Sequence, residues 1–128
     1  MDVRLNQMEQ LLGKNRSVTM LFSVPGRVNL IGEHTDYNTC PVFPMAVDRE
    51  ILALCSPRND TGIHVIDVNP EFGSSSFTIQ KSIPPSPTGS WINYIKAGVQ
   101  QMIHSHRRSR WRGFDLVIDS SIPPAAGM

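Results

Sequence analysis

Gly26-Arg27-Val28-Asn29-Leu30-Ile31-Gly32-Glu33-His34-Thr35-Asp36-Tyr37-Asn38 constrains this chain more than any other segment. Ahead of it, Thr19 to Val24 is a short apolar run of strand-favouring types, stopped by Pro25-Gly26. Val28, Leu30 and Ile31 resume the apolar pattern, which predicts that the backbone turns at Gly26 and re-enters the core. Gly32 marks a place where backbone bends or comes close to something. Glu33, His34 and Asp36 follow directly, before Tyr37 and Asn38. Carboxylates accept hydrogen bonds from hydroxyls, and an imidazole can accept or donate. Such a mixture suits a hydroxyl-rich ligand such as a sugar, each of whose hydroxyls does both. Two other readings compete. One is a polar turn whose Asp and Asn only cap the backbone. The other is a metal site made by Glu33, His34 and Asp36; the chain offers no further His or Cys cluster to match them, so no metal is expected.

Periodicity predicts the organisation around this segment. Asp2 to Leu12 places Leu5, Met8 and Leu12 on one face of a peripheral helix that ends at Gly13. Strands are expected at 19–24, 27–32, 45–56, 63–68, 75–80 and 114–119, with Asn59-Asp60-Thr61-Gly62 as a hairpin turn between two of them. Ser82 to Ser90, with Pro84, Pro85, Pro87 and Gly89, reads as a loop. A helix follows from Ser90, its N-cap, to about Ser105. Trp91, Tyr94, Ile95, Gly98, Val99, Met102 and Ile103 recur at helical spacing, while Asn93, Lys96, Gln100 and Gln101 take the other side. That apolar stripe is expected to be core. Strands mixed with one long helix and an irregular polar loop predict an α/β (α+β) domain.

Composition narrows the class of partner. A length of 128 residues corresponds to one domain, here 1–128, with 40% apolar and 18% charged residues, as in ordinary soluble proteins. A net charge of +1 gives no steering toward nucleic acid or membrane. His104 to Arg112 gathers arginines around Trp111 and could contact phosphates and bases; cations complementing a helix C-terminus explain it as well. No nucleic-acid or membrane partner is expected. No stretch approaches the ~20 apolar residues of a membrane span, and the N-terminus lacks an apolar signal core, so a cytoplasmic location is expected. Cys40 and Cys55, without a zinc spacing, are expected to be free thiols.

The run Gly26 to Asn38 resembles the sugar-recognition motif of galactokinases, in the GHMP small-molecule kinase superfamily. The similarity continues along the chain. Pro44-Met45-Ala46-Val47-Asp48 resembles the Leu-Pro-Met-Ala run of that family, and Trp91 to Val99 its Trp-x-Asn-Tyr-x-Lys-Gly-Val helix. Gly113 to Ile118 with Ile122-Pro123-Pro124 is similar to the strand and turn that lead into its phosphate loop. There the family reads roughly Pro, three variable small residues, then Gly-Leu-Ser-Ser-Ser-Ala. Here Pro123-Pro124-Ala125-Ala126-Gly127-Met128 ends the sequence. The resemblance therefore implies an N-terminal GHMP kinase lobe, related to the second domain of ribosomal protein S5 and incomplete at its C-terminus.

The implied reaction of the complete protein is ATP-dependent phosphorylation of galactose at its anomeric hydroxyl, which depends chiefly on positioning and charge stabilisation. Carried over, Glu33, His34 and Asp36 would hold sugar hydroxyls. Arg27, a permanent charge with donors in a fixed fork, would stabilise the transition state. Trp91 and Tyr94 would line the nucleotide pocket, and Gly127 would belong to the phosphate loop. The aspartate base and the ligands of the Mg²⁺ that accompanies ATP are not in this chain. The 128 residues alone are thus expected to be an inactive fragment or truncated isoform that keeps its sugar motif. Two alternatives remain open at this level: a non-catalytic, galactose-sensing interaction protein, and a kinase for a galactose derivative or uronic acid. Cys40 stands where the family usually has glycine, which would make the site sensitive to thiol reagents.

Overall fold

Alternation of apolar and polar residues builds the centre of the molecule. Gly62–Asp67 reads Gly-Ile-His-Val-Ile-Asp, and the side chains of Ile63 and Val65 are buried while their neighbours are half-exposed. The computed structural model describes residues 3–13, 20–32, 34–106 and 110–124, and of Asp36 the backbone only. Its elements are α1 (Val3–Leu12), β1 (Met20–Ile31), β2 (Phe43–Pro57), β3 (Gly62–Asp67), β4 (Ser74–Thr78), α2 (Ile92–Ser105) and β5 (Phe114–Ser120). The five strands form one sheet in the order β1-β2-β5-β3-β4. All neighbours are antiparallel except β3 and β5, which run parallel.

This order corrects the expected hairpin at Asn59 to Gly62. The turn exists, with Asp60 Oδ1 accepting from the Gly62 amide at 3.0 Å, but β2 and β3 are not neighbours because β5 lies between them. The pairing is decided by burial. Val117 on β5 is fully buried and lies opposite both Leu54 and Ile66, so a strand with a fully buried residue between two apolar partners takes the centre.

A second correction concerns Gly26. The chain does not turn there; β1 runs unbroken from Met20 to Ile31. Pro25 faces Glu50 but Arg27 faces Ala46, so the ladder is interrupted at Gly26 and resumes. Pro25 is tolerated because β1 is an edge strand, where a missing backbone donor costs no ladder bond. Gly26 sits in tight space: a Cβ would meet Ile122 Cδ1 at 3.0 Å and Val47 Cγ2 at 3.2 Å, so these side chains would have to give way by a few tenths of an ångström.

Helices cover the sheet from opposite faces. On one, Met8 and Leu12 of α1 pack with Leu52, Leu54 and Val117, so α1 is part of the core and not peripheral. Arg4 fixes its start by pairing with Asp119 of β5 and Glu50 of β2. On the other, Ile63, Val65 and Ile92 form a cluster with Trp91, Ile95, Val99, Phe77, Phe114, Leu116 and Ile118.

The apolar stripe of α2 is only partly core. Tyr94 is 84% exposed and Met102 is exposed as well, whereas Ile92 is buried. The helix begins at Ile92, with Trp91 at the cap and no side-chain bond there, so the expected Ser90 cap is not formed. The polar side of α2 is not simply solvated. Asn93 Nδ2 donates to the carbonyls of Ser86 and Pro87, and its Oδ1 accepts from the Ser86 amide at 2.8 Å. Lys96 Nζ donates to Pro84 O and Ser86 Oγ, and Gln100 Oε1 accepts from the Ile83 amide. The proline-rich loop, expected as a loop and found as one, is therefore strapped along the helix. With Ile92 buried and Ile95 and Val99 packed beside it, Tyr94 faces outward and these polar groups face the loop.

At the end of β2, Arg58 donates to Asp60 through Nε and Nη2 (2.8 and 2.7 Å) and to Asp115 Oδ1 through Nη1 (2.9 Å). Asp115 is only 4% exposed. The hydrogen bonds from Arg58, then that from the Gly62 amide, pull Asp60 down to about 2. Among the described residues no helix is long and apolar enough to cross a membrane.

Candidate functional site

The segment that follows β1 is built as a sequence of nested turns. Gly32 has φ +110°, a region open to glycine, and a Cβ there would lie 2.8 Å from Val42 Cγ1 and 2.9 Å from Val42 Cα. The Gly32 carbonyl accepts from Thr35 Oγ1 at 2.8 Å. The Thr35 carbonyl in turn accepts from the amides of Asn38 and Cys40, both at 3.1 Å, around a 3-10 turn at Asp36–Asn38.

His34 is the residue on which these contacts converge. Its φ is +60°, uncommon for a side chain with a Cβ and a conformation that surrounding contacts must hold. Asn38 Nδ2 donates to the His34 carbonyl at 2.9 Å, and Tyr37 Oη lies 2.8 Å from His34 Nδ1. The two rings meet edge to face, 6.1 Å between centroids at 62°. Backbone capping by Asn38 is thus real, and it serves to fix the imidazole. Tyr37 and Asn38 have supporting roles that reading the sequence for ligand groups passed over. Their signal was the spacing of three and four residues from His34, which brings side chains back onto one turn.

The remaining candidates fall in three places. Arg27 stands on β1, exposed, opposite Ala46. Among the described residues it makes no hydrogen bond or ion pair. Val28 and Asn29 face Met45 and Pro44; the two motif segments Gly26 to Asn38 and Pro44 to Asp48, separate in sequence, are cross-strand neighbours. Glu33, the Asp36 side chain and Gly127 lie outside the described residues.

Trp91 and Tyr94, at the start of α2, point apart. Trp91 Nε1 donates to the Phe72 carbonyl at 3.0 Å and its ring packs in the core, whereas Tyr94 projects into solvent. Cys40 is exposed beside the turn, its Sγ 3.6 Å from the Asn38 carbonyl, and Cys55 is half-buried; both are free thiols. Burial, and secondarily the charge of Asp115, push the Cys55 thiol up. Among the described residues no group of three or more His, Cys, Asp or Glu side chains could hold a metal ion. The basic run at 104–112 is described only in part; in it His104 Nε2 pairs with Gln100 at 3.0 Å and the His106 ring meets Trp111 edge to face.

Residues 9–57 match the galactokinase galactose-binding signature. The whole structure is similar to galactokinase from Lactococcus lactis, solved in complex with galactose: TM-score 0.80 and 31% identity over 98% of this chain and 33% of that one. It is also similar in fold to mevalonate kinase from Methanococcus jannaschii, with TM-score 0.67 and 23% identity over 88% of this chain and 35% of that one. The chain spans about a third of the length of these solved relatives.

Proposed function

We propose that this chain, galactokinase-like in its signature and a GHMP kinase N-terminal lobe in its fold, supplies the sugar-recognition part of a kinase that phosphorylates galactose. The observation that carries the reading is the turn at residues 32–38. A glycine that admits no side chain and a histidine held at φ +60° by two flanking side chains set an imidazole at the end of β1. The signature match over residues 9–57 supports a sugar as its ligand, and the galactose complex of the similar Lactococcus lactis enzyme supports galactose among sugars.

In this reading His34, with Glu33 and Asp36, binds ring hydroxyls of the sugar. Losing one such contact leaves a buried partner unsatisfied, which costs ~1–3 kcal/mol and discriminates between epimers. Arg27 acts by charge: its guanidinium offsets the negative charge that builds between the anomeric oxygen and the incoming phosphoryl group. ATP, carried with Mg²⁺, supplies the phosphoryl group when bound. Among the nucleotide candidates, the exposed Tyr94 ring fits a stacking role against the base. The Trp91 ring is already packed and its N–H already donated to Phe72, so its contribution is to hold the start of α2.

Ligand-observed NMR of the folded chain with galactose tests the reading, with glucose and Asp36→Ala as controls. Galactose signals that broaden, weaker broadening with glucose, and loss in Asp36→Ala are expected. Equal response to both sugars, or none by a chain that circular dichroism shows to be folded, would falsify it.

A further inference from the structure

We infer that Tyr37 is a positioning residue that presents His34 to the sugar as a hydrogen-bond donor through Nε2, an inference that rests on the sugar-binding reading above. Tyr37 Oη and His34 Nδ1 are 2.8 Å apart, and both groups can in principle donate. The chemistry of the pair selects one direction. A phenol, with a pKa near 10, is a better proton donor than a neutral imidazole N–H, and an imidazole nitrogen is a far better acceptor than a phenol oxygen. The matched arrangement has Tyr37 O–H donating into the Nδ1 lone pair. The ring proton then resides on Nε2, because the bond made by one imidazole nitrogen decides what the other can do.

The turn also holds the backbone of His34. Asn38 Nδ2 donates to the His34 carbonyl at 2.9 Å, and the His34 φ is +60°. Among the described residues Nε2 has no partner. A donor at that atom requires an acceptor oxygen on the ligand, so the hydroxyl facing His34 accepts from it and keeps its own O–H free to donate elsewhere. The turn thereby fixes the polarity of one contact before any ligand arrives, a form of preorganisation that spares the cost of choosing a tautomer on binding. Tyr37 is 69% exposed, so removing its hydroxyl alone leaves the core intact.

The test compares the wild-type chain with Tyr37→Phe. Chains carrying ¹⁵N-histidine are observed at about pH 8, above the ordinary imidazole pKa, with the His34 resonances identified by their loss in His34→Gln. In the wild type the His34 Nδ1 signal is expected at an acceptor shift narrowed by its hydrogen bond, and in Tyr37→Phe it should move toward that of free imidazole. Galactose affinity should fall about three- to ten-fold in Tyr37→Phe, the range for loss of one hydrogen bond. An Nδ1 signal indifferent to the phenol would overturn the inference. So would a signal that moves while galactose affinity stays the same. If the folded wild type fails to bind galactose at all, the sugar reading falls first and the role of Tyr37 toward a sugar falls with it; the wild-type titration separates that result from a failure of Tyr37→Phe alone.

Discussion

At the scale of single residues, the site depends on backbone geometry that only certain side chains permit. Gly32 is the clearest case, since its φ of +110° and the closeness of Val42 act together. Gly32→Ala is expected to destabilise the turn by ~2–3 kcal/mol, from left-handed strain of roughly 1–2 kcal/mol and a backbone clash. Because the turn is local, the loss should appear mainly as faster amide exchange across residues 34–40 and as lost galactose binding, with a smaller fall in the global melting temperature. Hydrogen exchange followed by NMR checks it; unaltered exchange in that segment would show that the turn adapts. The sequence made much of this legible. Gly32 announces the bend that is found, while Glu33, His34 and Asp36 carry an expectation of ligand chemistry only. What it did not reveal was that Tyr37 and Asn38 brace His34, because a residue that acts through another carries no ligand-type signature of its own.

The elements show where reading by periodicity stops working. Strand positions were legible to within two or three residues, since alternation in β3, β4 and β5 directly reflects two-faced burial. The stripe on α2 was misread because apolar type alone did not say which residues would face the sheet. Tyr94 and Met102 have the right spacing, yet burial of Ile92 sets the rotation and leaves both in water. The continuous β1 was misread for a related reason: Pro25-Gly26 is a stop signal in a central strand but is admissible at an edge, and edge position is a property of the finished sheet. The strap between α2 and the proline-rich loop belongs to this scale. Asn93→Ala removes its contacts to the half-buried Ser86 and the exposed Pro87, so a cost of ~0.5–1.5 kcal/mol is expected. Urea denaturation should show the loss, together with readier proteolysis within 82–90. A midpoint within experimental error of wild type would mean that Lys96 and Gln100 hold the loop alone.

On the scale of the whole molecule, the two ends of the sheet differ in how well they are covered. Helix α2 lies over β3 and β5, while Met20, Phe22, Val24 and Ile51 toward the β1 edge stay exposed. Contiguous apolar exposure of this kind binds hydrophobic probes and promotes self-association. Phe22 is 50% exposed, so Phe22→Lys should lower fluorescence of the dye ANS and raise solubility while costing at most about 1 kcal/mol of stability, as surface substitutions do. Dye binding equal to wild type would place the accessible apolar surface elsewhere.

The central place of β5 has a consequence for how the chain is made. The order β1-β2-β5-β3-β4 puts β5, the last strand among the described residues, in the middle of the sheet. During synthesis the β1–β2 and β3–β4 hairpins therefore emerge as two separate ribbons, each with an inner edge awaiting a strand that has not yet been translated. At ~5–20 residues per second, the wait between the end of β4 and the arrival of β5 lasts about two to seven seconds, far longer than a hairpin needs to form. In that interval the nascent chain displays two unpaired edges and the apolar faces of Leu54 and Val65, a display suited to capture by a holding chaperone. Release of residues 114–120 from the ribosome then closes both inner edges in one step.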